Sequence, residues 1–248
     1  MPTYVYGLTN RGAAAPRRLG IEDADTRVVE GDRLGALVAT IATSSVDAVR
    51  GNLMTHSDVL QEAIERGSVV PMRFGTVFES DDAVLKDLLE ARQTELADVL
   101  DRVRDKVELT LKAYYVQEAV LAEVVADDPA IVRLQRSTRE LPGDAGYYER
   151  IRLGELVAAA VERLRARDAA VLLATLRPLA VAEQESAELP EWMVTKASFL
   201  VERDAVEDVS ARVDDLAHQQ AGRMKLALVG PLPPYSFVDL GAKAETAA

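Results

Sequence analysis

The run Ser68-Val69-Val70-Pro71-Met72-Arg73-Phe74-Gly75-Thr76-Val77-Phe78 constrains this chain more than any other stretch. It is the densest apolar, β-prone segment of the first half, and helical patterns lie on both sides of it. Proline has no amide to give a sheet and glycine has no side chain to pack. The run is therefore not an ordinary central strand from end to end. We expect a short strand ending near Phe74, a turn through Gly75, and an apolar lead into the next helix. Met72 and Phe74 then point one way, Pro71 and Arg73 the other. An arginine embedded in a strand needs a partner or an exit to water, because unpaired burial is costly.

Elements on either side follow from periodicity. Strands are expected at 3–8, 26–30 and 34–41, with Gly31-Asp32 as a tight turn between the last two. Ser44 or Ser45 is expected to cap a helix whose stripe is Val49, Leu53, His56 or Ser57, Leu60 and Ile64, with Gly67 ending it. Ser80 or Asp81 caps the next, whose apolar face runs from Val84 to Val103 and is interrupted by Arg92 and Gln93. From 106 to 115 apolar and polar residues alternate, which predicts a half-buried strand. Helices follow from Gln117 and from Asp127-Asp128-Pro129. A break is expected at 141–146, a helix at 147–167 and a strand-like run at 170–179. An acidic loop then covers 182–191 and a strand 192–202. Asp204 caps a further helix, and 225–229 is the last strand. The order from 106 onward is strand, helices, strand, strand, helix, strand. That is the βαββαβ order of a ferredoxin-like sandwich, modified by extra helix in the first crossover. The predicted class is α+β in two domains, 1–105 and 106–240, with a flexible tail at 241–248.

Composition narrows the function. The 248 residues carry a formal net charge of -12, which disfavours nucleic acid and anionic membrane as partners. Without cysteine there is no disulfide, thiolate nucleophile or cysteine metal site, and a cytosolic address is mildly favoured. The first residues lack the basic leader of a signal peptide, and no apolar run approaches the roughly 20 residues that span a bilayer. Phosphate-binding, dinucleotide, zinc-protease, EF-hand and serine-hydrolase spellings are all missing. Only two histidines are present. His56 sits on an apolar helix face and reads more readily as a packed histidine than as a general base, and His218 as a surface residue. Asp127-Asp128 starts a helix more simply than it binds a cation. No catalytic residue, cofactor or metal is expected. Gly230-Pro231-Leu232-Pro233-Pro234-Tyr235-Ser236-Phe237 is either a polyproline-like segment offered to an aromatic groove or a strap that plugs Tyr235 and Phe237 into its own protein. Apolar residues follow directly, which favours the strap.

Four stretches together carry a resemblance. They are His56-Ser57-Asp58-Val59-Leu60, Val70-Pro71-Met72-Arg73-Phe74-Gly75-Thr76-Val77-Phe78, Gly146-Tyr147-Tyr148-Glu149-Arg150 and Gly230-Pro231-Leu232-Pro233-Pro234-Tyr235-Ser236-Phe237-Val238. In these the chain resembles the gas vesicle accessory proteins of the F/L type (the GvpF/GvpL family), from Tyr4 to Val238. The resemblance implies a cytoplasmic, gas vesicle associated protein without enzymatic activity. It implies two α+β domains, the second a modified ferredoxin-like one, and as partners the small hydrophobic shell protein and other accessory proteins. The motifs are family signatures and assign no catalytic residue. Two departures stand out: leucine where many members carry tryptophan after the first proline of the last motif, and Gly-Tyr-Tyr-Glu-Arg where more apolar spacing is usual.

On this reading the protein works by binding, offering a sheet edge or a cleft to a shell subunit that exposes apolar surface before it polymerises. The candidate protein-binding residues are Met72, Arg73, Phe74, Phe78, Tyr147, Arg150, Tyr235 and Phe237. The rival reading is a small-molecule enzyme or sensor on a ferredoxin-like scaffold, which requires a concave pocket with convergent polar groups and a perturbed titratable residue.

Overall fold

Seven consecutive buried residues, from Thr3 to Thr9, make strand β1 (Thr3–Asn10) the centre of the first sheet. A strand apolar on both faces needs cover on both. The computed structural model describes residues 1–140 and 146–240. In it, β2 (Thr26–Glu30), β3 (Leu34–Thr40), β4 (Val69–Pro71) and β5 (Val77–Phe78) join β1 in the order β2-β3-β1-β4, with β5 also on β1. Every pairing is antiparallel, and β1 runs against β3 from Thr3 opposite Thr40 to Asn10 opposite Leu34. A register shift between Val5 and Gly7 lets Val5 and Leu8 reach the same core, as a bulge does. Gly7 is needed there, because a Cβ would lie 2.8 Å from the Val70 carbonyl oxygen and 3.0 Å from Leu60.

Helix α1 (Arg50–Arg66) packs Val59, Leu60, Ala63 and Ile64 inward from one side. A core of Val5, Leu8, Val38, Met72, Phe78, Leu88, Leu96 and Leu100 forms with the segment that follows β5. There, Ser80 caps the turn α2 (Asp81–Ala83) through Oγ to the Ala83 amide, as predicted. The expected single helix is instead three pieces. α2 runs into a π-helical stretch, Val84–Glu90, and α3 (Gln93–Arg102) starts after a break at Arg92. The polar pair that interrupts the stripe therefore interrupts the helix.

Three further expectations fail in this half. Strand β4 stops at Pro71: the Met72 amide makes a last bond to β1, at the Tyr6 carbonyl, and the chain then turns at Gly75 with φ +87. Met72 consequently enters the core while Phe74 meets the Tyr4 and His56 rings, so the two do not share a face. Neither Ser44 nor Ser45 caps α1, which begins at Arg50 after Val49 with no side-chain cap.

The second sheet contains β6 (Lys106–Tyr115), β7 (Ala182–Glu185), β8 (Met193–Glu202) and β9 (Met224–Leu232), in the order β7-β8-β6-β9. Its helices are α4 (Gln117–Asp127), α5 (Pro129–Glu140), α6 (Tyr147–Leu176) and α7 (Val206–Gln219). The fold is thus α+β, with several helices and two sheets. The predicted strand at 170–179 is the last part of α6: Leu164, Asp168, Leu172 and Leu176 are buried at helical spacing and Val171 is exposed. A strand lies instead in the acidic stretch expected to be a loop, where Ala182–Glu185 pairs at the sheet edge. β6 is buried on both faces rather than one, since Glu108 and Thr110 are covered as well. Asp204 belongs to a short 3-10 turn and does not cap α7. The last strand runs past Val229 to Leu232.

The chain divides into two compact units. One holds Met1–Leu109, Leu200–Asp204 and the chain from Gly230 onward, and the other Thr110–Phe199 and Ala205–Val229. The break expected at 141–146 lies outside the described residues except for Gly146, and the tail expected at 241–248 lies wholly outside them.

Candidate functional site

In the first unit α1 carries one polar ring on its inward face. His56 is 4% exposed and lies against Tyr4 and Tyr6 of β1. Its Nδ1 is 2.8 Å from the Tyr4 hydroxyl and its Nε2 is 3.0 Å from the Tyr235 hydroxyl. The Tyr4 oxygen already accepts the Gly75 amide at 3.1 Å. The arrangement that satisfies every group has the Tyr4 proton on Nδ1 and the Nε2 proton on Tyr235. Tyr6 stacks on the imidazole at 5.6 Å, and Phe74 meets it edge-on at 5.7 Å. The Tyr6 hydroxyl accepts the buried Ile21 amide at 2.7 Å. Burial pulls His56 down to about 4, against a weaker opposing pull from the Met72 backbone. Burial likewise raises Tyr4 and Tyr235 well above the ordinary phenol range. The cluster is therefore neutral at pH 7, and both histidine nitrogens are occupied. It holds parts of the chain together and has no nitrogen left to act as a base.

The part it holds is the C-terminal turn. Four further contacts fasten the same segment. Gln61 Nε2 donates to the Pro231 carbonyl at 3.0 Å. The Ser236 amide and hydroxyl donate to the two oxygens of buried Glu108 at 2.8 and 2.7 Å. Arg92 donates to the Leu240 carbonyl. Pro233 and Pro234 are buried, and Val238 and Leu240 pack on the core. The motif is thus a fastened strap, but it does not plug Tyr235 into the protein, because that side chain stays 45% exposed while only its hydroxyl reaches His56. Phe74 is half-buried, and on the turn of α1 before His56 Leu53 is 43% exposed and Met54 52%. Hydrogen bonds hold the Tyr4, Tyr6 and His56 rings in place beside Phe74 and Tyr235.

The second unit holds a charged cluster. Arg223 donates to Glu123 at 2.6 and 3.1 Å and to Asp168 at 2.6 Å, and Tyr115 Oη donates to Asp168 at 2.7 Å. Hydrogen bonding to Glu123 holds the Arg223 guanidinium protonated, and burial followed by the Asp168 carboxylate raises Tyr115. Two cavities adjoin it. One, about 300 Å³, lies between α6 and α7 near Leu172, Arg212 and Leu216. The other, about 380 Å³, is lined by Val124, Pro129, Ala160 and Leu164 with Arg163 and Arg167. Asp168 faces the first cavity, but its carboxylate is committed to Tyr115 and Arg223. Among the described residues, no group of three or more His, Asp or Glu is placed to hold a metal ion. No helix is long and apolar enough to cross a membrane, again among the described residues.

Comparison with known proteins decides what this framework belongs to. The family model described as gas vesicle synthesis protein GvpL/GvpF matches residues 2–239. The chain belongs to that family. It is accordingly an accessory protein of gas vesicle formation, as the four motifs imply. It is 39% identical to gas vesicle protein F of Streptomyces sp. (strain CB03234), over 96% of this chain and 100% of the relative. It is 30% identical to gas vesicle protein L2 of Halobacterium salinarum, over 94% and 90%. Among solved structures, GvpF from Anabaena sp. PCC7120 superposes with a TM-score of 0.79 at 21% identity, covering 97% of each chain. GvpF from Microcystis aeruginosa gives 0.77 at 22% identity, covering 96% and 99%. At these identities the structures speak for the fold.

In this GvpL/GvpF family member the predicted site residues separate into three groups. Phe74 and Tyr235 come together over His56, with Arg73 exposed beside Phe74. Met72 and Phe78 are core residues, 2% and 5% exposed, and Phe237 is half-buried in the strap. Tyr147 and Arg150 belong to the other unit, on the first turn of α6, and are exposed. Sequence reasoning missed Glu108, Gln61 and Arg92, the hooks for the strap. The one available signal is Glu108, a carboxylate inside a β-prone run, which alternation alone places on the polar side of a half-buried strand.

Proposed function

We propose that this protein holds an apolar segment of the gas vesicle shell protein on the surface made by Phe74, Tyr235, Leu53 and Met54. The observation that carries the reading is that exposed Tyr235 and half-buried Phe74 lie against the hydrogen-bonded His56, with Leu53 and Met54 exposed on the turn of α1 before it. Large, ordered aromatic surface binds at low entropic cost. A small hydrophobic shell subunit needs such cover before it polymerises. Arg73 sits at the rim of the same surface, where charge sets orientation more than affinity. Met72 and Phe78 act from within, by fixing the loop that presents Phe74. Phe237 acts by anchoring the strap that presents Tyr235. The protein is cytoplasmic and gas vesicle associated on this reading, and the shell protein is one of several gas vesicle partners.

The two-domain reading, with a boundary near Asp105 and a modified ferredoxin-like second domain, belongs to the same proposal. The sheet order β7-β8-β6-β9 supports it, because it places the first and third strands of a βαββαβ chain side by side and the second and fourth at the edges. The first compact unit runs without interruption to Leu109, which supports a boundary in this part of the chain.

The test is binding of the purified shell protein to the full chain, measured by pull-down and by titration. Leu53→Glu and Met54→Glu change exposed side chains, so the thermal unfolding midpoint should stay within a few degrees of the parent. Binding should weaken at least tenfold in each, and in Phe74→Ala once its folding is verified. Unchanged binding in both glutamate variants would remove this surface from consideration.

A further inference from the structure

The second sheet carries a patch of lysines on the face opposite α6, and we infer that this patch docks an acidic segment of a protein partner. Register places it. The Thr110 and Ser198 hydroxyls meet at 3.1 Å, Lys106 Nζ is 3.4 Å from the Glu202 carboxylate, and the Tyr115 amide bonds the Trp192 carbonyl. These contacts run β6 and β8 antiparallel and set Lys112 directly opposite Lys196, on the side of the sheet that Thr110 and Ser198 share. Tyr115 points the other way, to Asp168 of α6. On the other flank of β6 the Val116 amide bonds the Arg223 carbonyl, and Gly230 lies against Glu108 and Leu109. β9 is therefore antiparallel to β6, with Lys225 opposite Tyr114 and Ala227 opposite Lys112. Burial agrees: Met224 is buried and Leu226 and Leu228 half-buried, while Lys225 and Ala227 are exposed.

Two lysines facing each other across a ladder repel. Their Cβ atoms are about 4.5–5.5 Å apart, and like charges in that position destabilise a sheet. Lys225 stands diagonal to Lys112, roughly 7–8 Å away. None of the three side chains has a hydrogen bond or ion pair among the described residues. The positions beside them on this face are Thr110, Tyr114, Ser198, Ala227 and Ser186, whose amide bonds the Lys196 carbonyl. No carboxylate is among them. Further along the same ladder Lys106 does have a carboxylate opposite it, that of Glu202, so one lysine is neutralised and the facing pair is not. The unit made of Thr110–Phe199 and Ala205–Val229 has three lysines, and all of them are here. In a chain of net charge -12 the fold has no need of this arrangement, whereas an anion laid over it does. The kind of anion follows from shape. The patch is a sheet face with no glycine among its positions to bring backbone amides to a phosphate. Tyr114, 36% exposed, and Ala227 add apolar area that a phosphate alone would leave wet. A long polyanion or an anionic bilayer would extend past the patch, beyond the roughly 8–10 Å to which screening confines its attraction, and meet the acidic remainder of the chain. A short acidic segment with an apolar side chain fits: one carboxylate lies between Lys112 and Lys196, another reaches Lys225, and the apolar group covers Tyr114 and Ala227. This site is made by different residues from the Leu53 surface, so the protein has one site for apolar chain and one for acidic chain.

The experiment uses the full-length protein and three labelled eight-residue peptides, each with a central Leu-Leu pair flanked on both sides by three Glu, three Gln or three Lys. Fluorescence anisotropy at about 50 mM salt should show binding of the Glu peptide and at least tenfold weaker binding of the other two. Raising salt to about 300 mM should cost the Glu peptide about tenfold. Lys196→Glu is the decisive variant. It should weaken Glu-peptide binding at least tenfold and yet raise the thermal unfolding midpoint by about 1–3 °C, because Lys112 then faces an opposite charge across the ladder. Lys225→Glu should weaken binding to a similar degree, and Lys196→Gln by less. Leu53→Glu should leave binding unchanged, which separates this site from the shell surface. Absence of Glu-peptide binding, equal binding of the Gln peptide, or indifference to both lysine reversals each overturns the proposal. A midpoint lowered by Lys196→Glu overturns it as well, since the lysine would then serve the fold. So does tighter binding of inorganic triphosphate, of phosphatidylglycerol vesicles or of a 20-nucleotide single strand. Self-association abolished by the reversals also overturns it, by giving the face to a second copy of the chain.

Discussion

Acid should loosen this protein through His56 before most of its carboxylates take up protons. The imidazole is 4% exposed, enclosed by the Tyr4 and Tyr235 hydroxyls and by the Tyr6 and Phe74 rings, with no carboxylate among these neighbours. Its folded-state pKa is pulled from 6.5 to about 4. In the unfolded chain it titrates near 6.5, so between those values the unfolded state binds a proton that the folded state refuses. The stability due to a neutral His56 is complete above pH 6.5 and drains as pH falls toward about 4. Each unit of separation is worth roughly 1.4 kcal/mol, which makes the loss between pH 7.5 and 4.5 about 2.5 kcal/mol. Urea unfolding of the parent and of His56→Gln at both pH values isolates this amount. Carboxylates titrate in both proteins and cancel in the difference. The glutamine variant should be the weaker protein at pH 7.5, yet should lose about 2.5 kcal/mol less on acidification. Parallel pH dependence, with the two proteins within about 0.5 kcal/mol of each other in their losses, would refute the enclosed-imidazole account.

Two further outcomes test the packing. Arg223→Met removes the cation shared by Glu123 and Asp168, whose side chains are 26% and 11% exposed. Two partly buried carboxylates left without it should cost roughly 2–3 kcal/mol in urea unfolding, and adding Asp168→Asn should return part of that. Gly20→Ala would place a Cβ 2.2 Å from the Tyr6 hydroxyl. It should push that oxygen off the buried Ile21 amide at a cost of about 1–3 kcal/mol, and Tyr6→Phe in the same background should recover stability where alone it destabilises.

Much of the first sheet was legible because its strands are apolar and its turns carry their own residues, as Gly31-Asp32 and Gly75 do. The misreadings have physical causes. Ala170 to Leu176 is rich in alanine and leucine, strong helix formers, and its buried positions continue the stripe of α6. Judging it by hydrophobicity alone made it a strand. Ala182–Glu185 is an edge strand, and edge strands carry charge to discourage further pairing, so its acidity hid it. Of the candidate site, Phe74 and Tyr235 were visible as aromatics in distinctive surroundings. Their meeting over His56 was not, since it joins residues 179 apart in sequence. A bond of that kind leaves no periodic trace.

That separation has a bearing on synthesis. The sheet built on β1 is complete in sequence by Phe78, and its first unit by Leu109 except for two short returns. At about 5–20 residues per second, Tyr235 leaves the ribosome on the order of ten seconds after Leu109. During that interval His56 and Glu108 have been made but their partners have not, and the apolar bed of the strap stands open. A nascent chain in this state carries that bed uncovered until residues 231–240 follow.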